Sequence, residues 1–386
     1  MQKMERFNNL TRYEHVGINQ AINLADGHAH QGQNSTQQAI VADLPNIFEA
    51  AENALQATTE REFQRAFYTL AGQHSAVDHP RTMLCYSASL STDLVATFLA
   101  SRNLTVGLLQ PCFDNLATIL RRRQVKVVPL GEEQFRPESL DRTFAELNTD
   151  AVFLTLPNNP TGFHLDQEQF RRVIDLCAEH RKILIVDCTF RFFAPTPFWD
   201  QYAQLEESGI SYVVVEDTGK TWPTQDLKCS ILAVSADLHE SVLELHNDIL
   251  LNVSPFILQL LTAYLRDTER NGLQQTIWSV VRANRISLRK ALEGTVLVPA
   301  HPESTISVEW VRIDHPSLRS DDLVEMLAKS QVGILPGDHF YWDDHETGSH
   351  FIRFALAREE RWFATACGSL REALLARPEL IEGAGS

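Results

Sequence analysis

Five short apolar runs, separated by polar turns and helix-like stretches, limit this chain to few architectures. They fall at residues 104–109, 151–156, 183–186, 212–215 and 230–234. Between the second and third, residues 165–181 place Phe170, Val173, Ile174 and Cys177 at the three- and four-residue spacing of a helix face. From about residue 82, strands therefore alternate with helices. That alternation predicts an α/β fold whose mostly parallel sheet is buried on both faces. A chain of 386 residues has room for two such domains around a large core.

Charge and cysteine usage exclude several classes of function. The balance of 34 Lys+Arg against 50 Asp+Glu leaves a net charge of −16, which opposes nonspecific binding to nucleic acid. Cys85, Cys112, Cys177, Cys188, Cys229 and Cys367 are scattered with no CxxC pair, so neither a disulfide framework nor a metal site is expected. The N-terminus lacks a signal-peptide layout, and no apolar run approaches the ~18 residues of a membrane span. The expectation is a cytoplasmic enzyme with no membrane partner. Its glycine-rich end, residues 382–386, is expected to fray.

Three of the runs end in chemically distinctive residues. Asn159 lies in the loop Pro157-Asn158-Asn159-Pro160-Thr161-Gly162, Asp187 closes the third run, and Lys220 follows Glu216-Asp217-Thr218-Gly219 after the fourth. A second cation, Lys228, comes eight residues later. An open α/β sheet gathers its ligand groups just past the strand ends. A lysine can form a Schiff base, an aspartate can hold a pyridinium nitrogen, and an asparagine can bond a ring oxygen. The set points to pyridoxal 5′-phosphate (PLP).

In this order and spacing the residues resemble the fold-type I PLP enzymes, the aspartate aminotransferase superfamily, over nearly the whole chain. The resemblance implies that Lys220 binds the cofactor and shuttles protons, with Asp187 on the ring nitrogen and Asn159 on the ring hydroxyl. Lys228 stands where the family has an arginine for the phosphate, an exchange that keeps the charge. Ser89 and Ser91, in the run Ser87 to Ser91, are expected at a helix start that cradles the phosphate. Phe113 is expected to stack on the ring, and Arg353 to grip the substrate carboxylate. Phe190 replaces the tyrosine of many relatives, leaving Thr189 to compensate in part. The implied plan is a segment closing over substrate at residues 1–44, a PLP-binding domain at 45–255 and a small domain at 256–386, in a homodimer.

Three further stretches narrow the resemblance to the PLP-dependent arginine oxidases and hydroxylases. They are Asn23 to Ala29, Glu216 to Thr224, and Asp248 to Pro255. The group's substrate implies carboxylates for a guanidinium, for which Glu14, Asp26 and Asp217 are candidates, with Thr11 beside them. Thr11 to Glu14 also reads as a capping box opening a helix. His28 is the implied acid/base for water addition. The resemblance implies oxidation of L-arginine by dioxygen, releasing hydrogen peroxide, in the biosynthesis of an antibiotic or other specialised metabolite. Products would be 4-hydroxy-2-ketoarginine or 4,5-dehydro-2-iminoarginine, with 2-ketoarginine on the side. An ordinary aminotransferase acting on a basic amino acid is the alternative. A PLP-fold transcription regulator would need a DNA-binding domain, for which the short leading segment leaves no room.

Overall fold

The computed structural model describes residues 7–381, so the expectation for 382–386 lies outside the described residues. The chain enters through helix Leu10–Ile18 and the short strand β1 (Ile22–Asn23). A seven-stranded sheet follows, built from β2 (Thr82–Cys85), β3 (Val106–Gln110), β4 (Val127–Gly131), β5 (Ala151–Thr155), β6 (Ile183–Asp187), β7 (Tyr212–Asp217) and β8 (Ser230–Val234). Its spatial order is β2-β8-β7-β6-β5-β3-β4. The five strands from β4 to β7 run parallel, while β8 is antiparallel to both its neighbours.

The core strands are apolar along most of their length because both faces are covered, and polar residues such as Thr155, Asp187, Glu216 and Asp217 gather at their C-terminal ends. Ala151 and Phe153 join one buried cluster with helix Ala88–Ser101, while Val152 and Leu154 join the other with helices Gln56–Leu70 and Gln167–Glu179. This is the two-residue alternation of a strand read out on two hydrophobic layers.

A second, antiparallel sheet is ordered β12-β13-β10-β9. Its members are β9 (Leu297–Pro299), β10 (Val308–Ile313), β12 (Leu335–Pro336) and β13 (Phe351–Ala355). β11 (Val332–Gly333) instead pairs with β1, tying the entering segment to this half of the molecule. The expected boundary at 255/256 falls in the first turn of helix Pro255–Asn271, which packs along helix Gln56–Leu70.

The capping box expected at Thr11 is not formed. Asn9 caps helix Leu10–Ile18 by accepting from the Arg12 N–H, which puts Thr11 and Glu14 inside the helix. Asn9 sits one residue before the first helical residue, where its extended backbone aims the amide oxygen at the exposed N–H groups.

Candidate active site

The register aligns the C-terminal ends of the parallel strands, with Thr155 opposite Asp187 and Asp187 opposite Val215. The loops leaving β5, β6 and β7, together with the N-terminus of helix Ala88–Ser101, surround a cavity of about 250 Å³. Its walls include Lys220, Asp187, Asn159, Lys228, Phe113, Ser89, Thr189, Arg353, Thr11, Glu14, Asp217 and His28. The sequence scattered these groups over more than three hundred positions; strand register and the returning N-terminal segment bring them together.

Ser91 and Asp26 are not in that wall. Ser91 Oγ bonds Ser230 Oγ at 2.9 Å in the core. Ser87 is the N-cap, so Ser91 has already turned toward β8 while Ser89 still faces the cavity. Asp26 is buried behind His28, and its carboxylate holds His28 Nδ1 at 2.9 Å and His30 Nε2 at 2.6 Å. It therefore acts on a neighbouring imidazole rather than facing a guanidinium in this structure.

Lys220 sits three residues past β7. Burial is the main cause of a lowered affinity for its proton, with Lys228 adding to it and the carboxylates of Glu14, Asp217 and Asp26 opposing. The neutral amine a nucleophile needs is thus favoured. Asp187 shows the opposite response: burial raises its carboxyl to about 6, although Thr189 N–H donates to Oδ1 at 2.8 Å. Lys228 Nζ lies 3.0 Å from His28 Nε2. Because an ammonium only donates, Nε2 accepts and the His28 proton belongs on Nδ1, facing Asp26.

Arg353 projects from β13 into the cavity wall and is almost wholly buried. Its guanidinium contacts Asn159 Oδ1 at 3.4 Å, Glu14 Oε1 at 3.5 Å and the Ala25 carbonyl, and lies over the rings of Phe113 and Phe340. Among the described residues, its Nε has no partner, and neither has the buried hydroxyl of Thr189. Asp217 Oδ2 accepts the Ala88 N–H at 3.2 Å and Oδ1 accepts the Gly219 N–H at 2.5 Å, closing the turn that presents Lys220.

The donor set fits PLP. An unpartnered hydroxyl at Thr189 among the described residues, a carboxyl at Asp187 that burial leaves uncompensated, and a helix N-terminus lining the cavity at Ala88 and Ser89 are features a ring and a phosphate would satisfy.

Several supporting residues escaped sequence reasoning. Glu216, next to Asp217, points to the opposite face of β7 and is held by Arg191 Nε at 2.8 Å and Tyr202 at 3.1 Å. Strand alternation alone predicts that opposition, once β7 is known to extend to Asp217. Asn158 anchors the Asn159 loop through Pro111 O at 2.7 Å and Glu132 at 2.6 Å. Arg358 donates to the carbonyls of Asn23 at 2.9 Å, Asp26 at 2.6 Å and His28 at 3.1 Å, fixing the loop that carries His28. No local pattern marks it.

Comparison with known proteins matches residues 19–369 to the family described as aminotransferase class I and II. Among solved structures, MppP, soaked with the product 2-ketoarginine, has a TM-score of 0.83 and 36% identity, with 90% of this chain and 98% of that one covered. The aspartate aminotransferase of Pyrococcus horikoshii is 20% identical over 320 residues, 81% of this chain and 79% of its own length. The aromatic-amino-acid aminotransferase 2 of Thermococcus litoralis is 22% identical over 312 residues, 78% of this chain and 77% of its own.

Proposed function

The chain belongs to the aminotransferase class I and II family and is a PLP-dependent enzyme, and from that premise we propose that it oxidises L-arginine with dioxygen. The observation that carries the reading is one cavity with a guanidinium, Arg353, and two carboxylates, Glu14 and Asp217, around the same lysine. A substrate with a carboxylate at one end and a cation at the other complements that arrangement. The relation to MppP, at 36% identity, supports arginine as that substrate.

When bound, the cofactor supplies an electron-withdrawing ring and an aldehyde for the substrate amine. Asp187 holds the proton on the ring nitrogen, and Asn159 and Thr189 hold the ring oxygen. Lys228 and the start of helix Ala88–Ser101 hold the phosphate. Arg353 grips the α-carboxylate, and Glu14 and Asp217 hold the guanidinium. Lys220 takes the proton from the substrate α-carbon. His28 Nε2, unprotonated, receives a proton at the side chain or from an added water. Each two-electron oxidation reduces one dioxygen to one hydrogen peroxide: two such steps give 4,5-dehydro-2-iminoarginine, or, with two waters added and ammonia released, 4-hydroxy-2-ketoarginine, whereas one step followed by hydrolysis gives 2-ketoarginine and ammonia. The enzyme acts as a homodimer in the making of a specialised metabolite.

An oxygen electrode with arginine and no keto acid tests the reading. Oxygen uptake matched by peroxide is expected. No uptake, together with transfer of the amino group to an added keto acid, would make the protein an aminotransferase instead.

A further inference from the structure

Behind the cavity, three side chains form a chain of hydrogen bonds that ends at the surface. His28 lines the cavity, Asp26 is 3% exposed, and His30 is 33% exposed. Asp26 Oδ1 takes His28 Nδ1 at 2.9 Å and also the His28 backbone N–H at 3.0 Å, whereas Oδ2 takes His30 Nε2 at 2.6 Å. The two rings are nearly perpendicular with centroids 6.5 Å apart, so each meets its own carboxylate oxygen. Backbone contacts fix both ends: Arg358 holds His28 O, and the His30 N–H donates to Ala357 O at 2.9 Å.

We propose that His30 is a positioning residue for His28: by occupying the outer oxygen of Asp26 it keeps that carboxylate shared between two imidazoles, so that His28 stays neutral with its Nε2 lone pair on the cavity side, where Lys228 meets it. A carboxylate given wholly to His28 would stabilise the imidazolium and take away the base. The oxygen on the His28 side is anchored by a backbone N–H, so loss of His30 changes the charge His28 meets more than the position of Asp26.

Other charged groups act on the same ring. Lys220 and burial hold His28 below its ordinary value, with Lys228 in the same direction and Asp26 opposing. Asp226 Oδ1, largely exposed, stands 3.3 Å from Nδ1 as a second acceptor. Asp26 itself is held far below the usual carboxylate range: burial opposes this, but the hydrogen bonds from His28 and His30 outweigh it. A cation among the three would have to displace both imidazole bonds beside the Lys228 ammonium, so the hydrogen-bonded reading is the one the geometry favours.

The consequence for arginine rests on the function proposed above; the hydrogen-bond chain does not. Holoenzyme labelled with ¹⁵N-histidine separates the two. In His30→Ala the His28 ring should titrate at least about half a unit higher, the size of a modest hydrogen bond. His30→Gln, which returns an N–H donor to Asp26, should restore the wild-type titration. If arginine is turned over, the acid limb of the rate profile should rise with the His28 titration in His30→Ala, while KM stays put. An unchanged His28 titration in His30→Ala overturns the proposal, as does a shift that His30→Gln fails to correct. Absence of arginine turnover would sink the functional reading and leave the NMR comparison decisive.

Discussion

Without a cofactor, the burial of Asp187 costs the folded protein stability at neutral pH. Burial raises it to about 6 from its ordinary 3.8, so the folded protein keeps a proton that the unfolded chain has released. Its contribution is favourable below about pH 4 and is lost as pH rises through about 6, leaving a cost of about 1–3 kcal/mol. Asp187→Asn should therefore melt a few degrees higher than wild type at pH 8 without cofactor, with the gain gone at pH 4, while turnover is abolished. A lower melting temperature at pH 8 would contradict the burial account. Lys220→Ala should lose the visible absorbance of covalently held cofactor; a retained band after denaturation would move that role to another lysine. Glu14→Gln should raise KM for arginine about 10- to 100-fold, the loss of one charged hydrogen bond, with cofactor content unchanged. Equal loss of cofactor would place Glu14 in the wrong part of the site.

At the scale of elements, helix Leu10–Ile18 carries Thr11 and Glu14 to the cavity, and its own N-terminus is docked on a carboxylate. Asp114 Oδ2 accepts the Leu10 N–H at 2.9 Å, and the His339 ring meets Phe7 O at 2.9 Å. A carboxylate at a helix N-terminus satisfies an open N–H and the positive end of the dipole. Asp114→Ala should weaken that docking by about 0.5–2 kcal/mol. Hydrogen exchange across residues 10–18 should speed up and KM for arginine should rise, with cofactor absorbance retained. Unchanged exchange would mean that other contacts hold the helix. The central strands were legible because a strand buried on both faces is apolar until its C-terminal end: the runs at 151–156 and 183–186 differ from β5 and β6 by one residue each. β2 and β4 were missed. Both are edge strands, and β4 holds Pro129, which the pattern of a central strand excludes. The strands of the smaller sheet are short and antiparallel, and their pairing depends on partners far along the chain.

At the scale of the whole molecule, two strongly exposed leucines stand on adjoining segments. Leu55 is 77% exposed and Leu251 is 93% exposed. Their segments adjoin: Gln56 Nε2 donates to Val253 O at 3.0 Å, and Phe48 meets Phe256 with ring centroids 5.6 Å apart. Tyr86 Oη, accepting the Ser254 N–H at 3.2 Å, links these segments to the start of helix Ala88–Ser101. Two exposed leucines on adjoining segments are the place to test for contact with a second copy of the chain. Sedimentation should give a dimer that Leu55→Asp with Leu251→Asp converts to monomer; a monomeric wild type would leave the two leucines to another partner. Among the described residues, no helix is long and apolar enough to cross a membrane.

The sequence by itself determined the layered α/β core, since an apolar run bounded by turns has few ways to be buried. It also determined the cofactor chemistry, because lysine, aspartate and asparagine past strand ends carry their reactivity with them. The tertiary structure alone decided which carboxylates face the cavity and which serve its walls. Asp26 is taken up by His28 and His30, and Ser91 is turned into the core two residues past Ser89 along its helix. Arg358 and His30 support the site from behind. Their partners are backbone carbonyls and a buried oxygen, fixed only when distant segments meet, so no local pattern of residues can announce them.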